Sequence, residues 1–138
     1  MSGNIKLEIV TPEKSVVSED VQMVVSPGSL GDFGVLTGHT PFLTTLRVGA
    51  IRYVNPDGTE RSVFVSGGFA EALPDKVTIL AESAERRRDI DLERAQTALE
   101  RAQKRLEKTG LDNINYARAK AAITRALHRV NIGGSRDI

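Results

Sequence analysis

The C-terminal part of the chain carries the pattern that decides the fold. Residues 89–131 read DIDLERAQTALERAQKRLEKTGLDNINYARAKAAITRALHRVN. Small or apolar residues recur there every three or four positions, which is the spacing of one helical face. The spacing predicts a helix over about 89–108 and a second over about 112–131, with Thr109-Gly110-Leu111 between them. So short a connection makes the helices antiparallel neighbours.

Alanine dominates the two apolar stripes. Their members are Ala95, Ala98, Leu99, Ala102 and Leu106 in the first helix, and Ala119, Ala122, Ile123, Ala126, Leu127 and Val130 in the second. Alanine allows close approach but buries little area, and hydrophobic stabilisation scales with buried area. We therefore expect a hairpin that is weakly held and can detach from its support. A persistently packed hairpin is the alternative that the pattern leaves open.

Arginines mark both helices. Arg94 and Arg101 lie seven residues apart on one helical face, and Arg125 and Arg129 lie four apart on another. If the two faces converge, several guanidinium groups meet, and such a cluster attracts phosphate or carboxylate. A solvated face with interspersed glutamates is the alternative, and the pattern alone favours it.

Short apolar runs separated by turn residues fill the N-terminal part. Residues 5–9 alternate apolar and charged side chains, as in a half-buried strand, and further short runs continue as far as Ala81. Asn55-Pro56-Asp57-Gly58 and Pro74-Asp75-Lys76 predict the turns of two hairpins. The fold class expected is β + α: a flattened β-sandwich or barrel of about ten short strands, followed by an antiparallel two-helix hairpin.

We place the boundary between two domains after residue 84. Residues 1–84 form the predicted β-sandwich domain and residues 85–138 the predicted helical hairpin. The sandwich buries its own core and is expected to fold without the helices. Residues 82–88 are charged and weak in structural signals, so we interpret them as a hinge.

The composition limits the classes of function. Hydrophobic residues make up 40% of the chain and charged residues 27%, as in a globular protein, and the net charge is +1. A charge so close to zero, with 4% aromatic residues, argues against nucleic acid as a partner. The sequence contains no cysteine, which excludes a thiolate nucleophile and a cysteine-ligated zinc site. No apolar run reaches the roughly 20 residues that cross a bilayer, so we expect membrane association only through a partner.

The sequence contains no pattern that indicates catalysis. His39 and His128 lie in different predicted domains, and nothing places a serine and a carboxylate around either. The glycines of Gly31-x-x-Gly34 lack the lysine and the following helix of a phosphate loop. Metal-ligand spacing is also absent. We therefore expect no catalytic residue, no metal and no required cofactor.

Three motifs resemble those of a known family, the epsilon subunits of bacterial F-type ATP synthases. The motifs are GDFGVLTGHTP at 31–41, VSGGFAE at 65–71 and VTILA at 77–81. They occur in the family's order, and the predicted sandwich and hairpin also fit. The resemblance therefore covers essentially the whole chain.

The resemblance implies a non-catalytic rotor subunit of a proton-translocating enzyme. The family's sandwich binds the gamma subunit and rests on the ring of c subunits, through a loop that matches Asp32, Gly38 and His39 here. The family's hairpin, when extended, reaches the alpha and beta subunits and blocks ATP hydrolysis, whereas the folded hairpin permits turnover. The location implied is peripheral, on the cytoplasmic face of the bacterial inner membrane.

The resemblance also implies ATP as a regulatory ligand of the folded hairpin. A family motif of Ile or Leu, Asp, two variable positions, Arg and Ala matches residues 90–95, next to an unusually basic Arg86-Arg87-Arg88. The positions implied for ATP binding are Glu85, Ile90, Asp91, Arg94, Arg101, Arg125 and Arg129. The arginines would hold the phosphates, while the two carboxylates would face the base and the ribose.

Two other classes of protein stay open. A free-standing module that senses nucleotides or anions would use the same arginines without joining a synthase. A nucleic-acid-binding protein would use the arginine face, but the scarce aromatic residues and the low net charge weaken that interpretation. Co-purification with gamma, alpha and beta subunits separates the stalk subunit from the free-standing module.

Overall fold

Ten strands form one sheet that curls until it nearly closes. The computed structural model describes residues 3–109 and 113–134. In chain order the strands are β1 (Ile5–Val10), β2 (Ser15–Val21), β3 (Met23–Gly28), β4 (Gly31–Val35), β5 (Phe42–Leu46), β6 (Gly49–Val54), β7 (Glu60–Val65), β8 (Gly68–Leu73), β9 (Lys76–Ala81) and β10 (Ala84–Arg86). A 3-10 turn at Arg87–Asp89 leads to α1 (Leu92–Thr109) and α2 (Asn113–Gly134). The predicted β + α fold class is confirmed.

The strand order shows how the sheet closes. The order is β10-β7-β6-β3-β5-β8-β9-β1-β2, with β4 paired to β3. Neighbouring strands pair antiparallel except β1 and β9, which pair in parallel. The two end strands meet where the Arg86 side chain on β10 donates to the Val16 carbonyl on β2 at 3.0 Å. This contact brings the first and last strands of the sheet together.

The predicted alternation and turns are present. Ile5, Leu7 and Ile9 are fully buried, while the residues between them are partly exposed. The Asn55 amide donates to the Thr59 carbonyl at 2.8 Å in the turn from β6 to β7. The β8 and β9 strands pair across the second predicted turn. Both predicted hairpins are confirmed.

The hydrophobic core lies inside the curled sheet. Its members are Ile5, Leu7, Ile9, Val17, Val21, Val24, Val35, Leu46, Ile51, Tyr53, Val63, Val65, Ala70, Ala72, Val77, Ile79 and Ala81. All of these residues lie in strands β1 to β9. The arrangement supports the expectation that the sandwich folds without the helices, which stays a prediction.

The segment interpreted as a hinge contains regular structure, so the expectation of weak structure over 82–88 is wrong, while its role as a hinge stays a prediction. Strand β10 pairs antiparallel with β7, with Ala84 opposite Val65 and Arg86 opposite Val63. An edge strand needs hydrogen bonds on one side only, and its charged side chains can reach solvent. Because its residues are mostly charged, the sequence pattern did not predict strand β10. This strand spans the domain boundary predicted after residue 84.

The helices begin and end a little later than predicted. Asp89 belongs to the 3-10 turn, and α1 begins at Leu92 because the Asp91 carboxylate caps it, accepting from the Arg94 amide at 3.0 Å. Helix α2 continues to Gly134 instead of ending near residue 131. Part of the predicted connection, residues 110–112, lies outside the described residues.

The hairpin is folded onto the sandwich. Alanine fills much of the helix interface, whose buried members are Ala95, Ala102, Ala119, Ala126 and Ile132. The end of α2 lies beside the start of α1, since a Cβ added at Gly133 would lie 3.1 Å from Ile90 Cγ2. The helices are therefore antiparallel, as predicted. Helix α2 also contacts β6 and β7, so it is the helix that rests on the sheet.

Candidate functional site

A groove of about 780 Å³ lies beside the N-terminal half of α1. It is lined by Glu85, Asp89, Asp91, Glu93, Arg94, Ala95, Thr97, Ala98, Arg101 and Arg129. The groove brings together residues from β10, the 3-10 turn and both helices. Five of the seven residues implied for ATP binding line it, namely Glu85, Asp91, Arg94, Arg101 and Arg129.

Arg129 connects the hairpin to the sandwich at this groove. Its Nε–H donates to Glu85 Oε1 at 2.7 Å, and its guanidinium lies over the Phe64 ring, 4.3 Å from the ring centroid. Both charged side chains are about one-third exposed or less, at 28% for Arg129 and 33% for Glu85. The arginine therefore makes a partly desolvated ion pair and a cation–π contact at once.

Phe64 is a residue that the sequence pattern missed. It is fully buried, yet it lies on the outer face of β7, opposite Ala50 on β6 and Glu85 on β10. Its neighbours Val63 and Val65 point into the core. Three consecutive apolar residues in a strand indicate burial on both faces, and that signal was available in the sequence.

The helical periodicity of α1 forms one wall of the groove. Arg94, Ala98 and Arg101 occupy positions i, i+4 and i+7, so they share one face. The small side chain of Ala98 leaves space between the two guanidinium groups. Asp91 is partly engaged, because its carboxylate caps the helix. This wall of the groove therefore presents the guanidinium groups of Arg94 and Arg101, with space between them above Ala98.

Two residues implied for ATP binding do not line this groove. Arg125 lies one helical turn before Arg129, about 6 Å along the axis, and lines a neighbouring groove of about 800 Å³ between the helices. That second groove is lined by Arg105, Lys108, Asn115, Arg118, Ala119, Ala121, Ala122 and Arg125. Ile90 is partly buried and packs near Gly133, where it holds the ends of the hairpin together.

The first groove is lined by both acidic and basic side chains. Carboxylates come from residues 85–93, and three guanidinium groups come from the helices. The lining contains no histidine, and Thr97 supplies its one hydroxyl group. Such a lining can bind both anionic groups and hydrogen-bond donors of a ligand.

The predicted ring-facing residues lie in an exposed region around β4 and β5. Asp32 forms an ion pair with Arg47, and the Gly38 amide donates to the Pro74 carbonyl at 2.7 Å. The His39 ring packs edge-on against Phe42, with centroids 5.0 Å apart. The turn between β3 and β4 carries a fully exposed leucine, Leu30. This end of the sandwich thus presents charged, polar and apolar groups together.

An apolar patch lies on the outer face of β5, β8 and β9. Leu43, Phe69 and Leu80 are 71%, 53% and 55% exposed. Phe69 lies directly opposite Leu80, and Leu43 is opposite the neighbouring Glu71. Contiguous exposed apolar side chains on a sheet mark an interaction surface. The sequence analysis did not identify this patch.

No described helix has the length and hydropathy needed to span a membrane. Within residues 3–109 and 113–134, no three His, Cys, Asp or Glu side chains cluster as metal ligands would.

The fold defines a two-part protein, in which a nearly closed β-sandwich carries a helical hairpin that packs against it. The family model described as the ATP synthase, Delta/Epsilon chain, beta-sandwich domain matches residues 4–87. The model described as the long alpha-helix domain of the same chain matches residues 88–134. The chain belongs to the family of ATP synthase delta/epsilon chains, and the resemblance read from the three motifs is confirmed.

Curated relatives carry the name ATP synthase epsilon chain. The protein of Desulforapulum autotrophicum is 54% identical over 132 residues, covering 96% of this chain and 97% of its own. The protein of Nitratidesulfovibrio vulgaris is 50% identical over 135 residues, covering 98% and 99%. The protein of Desulfatibacillum aliphaticivorans is 65% identical over 107 residues, covering 78% and 76%.

Solved structures share the fold. A chain in the cryo-EM structure of Euglena gracilis mitochondrial ATP synthase, OSCP/F1/c-ring in rotational state 1, superposes with a TM-score of 0.80 at 23% identity, covering 92% of this chain and 79% of that one. A chain in the Tetrahymena thermophila mitochondrial ATP synthase central stalk/c-ring structure gives 0.60 at 12% identity, covering 94% and 96%. At these identities the likeness concerns the fold alone.

Proposed function

We propose that this chain is a non-catalytic central-stalk subunit of an F-type ATP synthase that couples rotation to catalysis. The observation that carries the proposal is the match of both family domains across residues 4–134, in a structure where the hairpin lies folded on the sandwich. The subunit would be peripheral, on the cytoplasmic face of a bacterial inner membrane. The coupled ion would be the proton.

The outer sheet patch is the surface that we assign to the gamma subunit. Leu43, Phe69 and Leu80 give it an apolar centre, and Glu71 and Thr78 lie beside them on the same face. Burial of large apolar side chains contributes about 1.5–3 kcal/mol each, so these three would form the apolar centre of the contact. The hairpin leaves this face free because α2 packs on β6 and β7 instead.

The exposed region with Leu30, Asp32, Gly38 and His39 is the surface that we assign to the c-ring. Asp32 already pairs with Arg47, so its contribution is polar rather than a free charge. A contact of this kind transmits rotation by shape and hydrogen bonding, without burying an unpaired charge.

The hairpin is the proposed regulator of ATP hydrolysis. Its packing depends on a mostly alanine interface, on the Arg129–Glu85 ion pair and on the cation–π contact between Arg129 and Phe64. Partly exposed ion pairs and cation–π contacts each contribute about 1 kcal/mol, so the folded state is only a few kcal/mol below a detached one. Basic side chains on the extended helices would then meet acidic surfaces of the alpha and beta subunits and obstruct hydrolysis.

ATP is the proposed ligand of the first groove. Its volume of about 780 Å³ lies within the range of small-molecule sites, and its guanidinium groups suit phosphates. In this proposal Glu85 and Asp91 would face the base and the ribose. Because the groove needs β10 and both helices together, ATP would bind only the folded hairpin and shift the population toward it.

Co-purification tests the proposal against its main competitor. A tagged chain expressed in its native host should bring down gamma, alpha and beta subunits in fixed proportion. A variant with Leu43→Asp and Phe69→Asp should lose them, whereas Leu30→Asp should retain gamma. A wild-type chain that purifies alone while still binding nucleotide would favour the free-standing nucleotide- or anion-sensing module.

A further inference from the structure

A third, smaller groove lies at one end of the sandwich, beside β10. It has a volume of about 290 Å³ and shares no lining residue with the first. Its lining is Glu19, Tyr53, Asn55, Arg61, Ser62, Arg86, Arg87 and Arg88. Four of these eight residues are arginines and one is a carboxylate, so the groove carries a clear excess of positive charge.

Strand register directs the charged side chains toward the same end of the barrel. Arg61 lies opposite Tyr53 on β6, and Arg86 lies opposite the core residue Val63 on β7. Side chains opposite each other in a sheet share one face, so both arginines lie on the inner face. Glu19 follows the buried Val17 by two residues and shares that face on β2.

The carboxylate is already engaged. The Tyr53 hydroxyl donates to Glu19 Oε2 at 2.9 Å, and Arg86 Nη2 lies 3.6 Å from the same oxygen. Arg86 also donates through Nε to the Val16 carbonyl. One carboxylate therefore serves two partners, and it forms no ion pair with Arg61 or Arg88.

Arg61 and Arg88 remain available. Both are exposed, and neither forms an ion pair with a carboxylate of the described residues. Asn55 adds a neutral hydrogen-bond donor beside them, and Ser62 also lines the groove. Guanidinium groups gathered around a small concavity repel one another until an anion occupies it, and their planar forks match phosphate oxygens.

We propose that this groove binds a small phosphate-class oxyanion between β7 and the arginine triplet Arg86–Arg88. Its volume lies at the lower end of the range for ligand sites, which favours a free ion over a nucleotide. The bound ion would join Arg61 and Ser62 on β7 to the segment that enters α1. The site is independent of the proposed ATP groove and of assembly into a synthase.

Inorganic phosphate is the probe for the test. Amide NMR spectra of the full chain are recorded while phosphate replaces chloride at constant ionic strength. We expect saturable shifts centred on the amides of Ser62 and Arg86–Arg88. The double variant Arg61→Gln/Arg88→Gln should weaken phosphate binding about tenfold or more, since charged hydrogen bonds are lost.

The matched control removes the same charge elsewhere. Arg94→Gln/Arg101→Gln alters the hairpin groove and should leave phosphate affinity at Ser62 within about twofold, because neither residue lines the smaller groove. Non-saturable shifts in the wild-type chain would overturn the proposal. Equal weakening by both double variants would do the same, since it would show a general charge effect. The dispersion of the amide spectrum shows whether each variant is folded. If a variant is unfolded, the titration of the wild-type chain decides by itself whether phosphate binds saturably at this groove.

Discussion

Arg129 on α2 donates to Glu85 on β10 at 2.7 Å, and the same guanidinium covers the Phe64 ring. The Arg129 side chain thus joins the hairpin to the sandwich through an ion pair, and it covers Phe64 on the outer face of the sheet. Arg129 and Glu85 also line the groove that we assign to ATP. A phosphate bound by Arg129 in this groove would therefore add a contact at the attachment of the hairpin and stabilise its folded form.

Removal of this attachment should loosen the hairpin. Arg129→Ala loses a partly buried ion pair and a cation–π contact, and we expect docking to weaken by about 1–2 kcal/mol. Amide hydrogen exchange in α2 should then become about tenfold faster, with little change in β1 or β9. Arg118→Ala on the exposed part of α2 is the control. Unchanged exchange in α2 of the Arg129 variant would show that the hairpin is held by other contacts.

ATP binding should depend on the arginines of the first groove. Arg94→Gln should weaken it about tenfold in a calorimetric titration, because a charged hydrogen bond to phosphate is lost. Arg125→Gln should have a smaller effect, because Arg125 lines the neighbouring groove. Absence of heat at millimolar ATP with the wild-type chain would rule out the nucleotide proposal.

Acid should weaken the docking of α2 through His128. Burial, and then the nearby Arg47, lower the pKa of His128 below its ordinary value of 6.5. The folded state therefore prefers the neutral imidazole, so its contribution is complete above pH 6.5 and is lost as the pH falls further. His128→Gln should remove this dependence from the exchange rates of α2. An identical acid dependence in the variant would assign the effect to other groups.

Alkali should destabilise the sandwich through Tyr53. Desolvation first, and then the hydrogen bond to Glu19, raise the pKa of Tyr53 from 10.0 to about 12. The folded state holds the phenol proton more tightly than the unfolded state does, so this stability is complete below pH 10 and is lost as the pH rises through about 12. The loss amounts to about 2–3 kcal/mol. Denaturant unfolding of Tyr53→Phe should lack this decline, and a decline of the same size would contradict the assignment.

The sequence predicted those strands and hairpins that a local pattern of residues determines. Alternation in β1 and the turn at 55–58 identified strands and hairpins, because burial on one face repeats every second residue. The pairing of β1 with β9 joins distant segments, so no local pattern reveals it. Strand β10 was missed because an edge strand tolerates charge on its exposed side.

The candidate site was predicted in part for a similar reason. Helical spacing placed Arg94 and Arg101 on one face, and both line the first groove. The position of Arg125 depends on how far α2 slides along α1, which spacing within one helix does not determine. The burial of Phe64 depends on α2 resting on β7, a contact between two separately predicted units.

A reversible lock on the folded hairpin tests the central claim most directly. A Cβ added at Gly133 would lie 3.5 Å from Ile90 Cβ, within the range of disulfide bonds, and the natural chain contains no cysteine to interfere. The double variant Ile90→Cys/Gly133→Cys, assembled into the synthase, is assayed for ATP hydrolysis when oxidised and again when reduced, beside each single variant. Because the bond joins the start of α1 to the end of α2, we predict that oxidation prevents the two helices from separating to extend and so raises hydrolysis, and that reduction restores the inhibition. Equal hydrolysis in the oxidised and reduced complexes would contradict a regulatory hairpin.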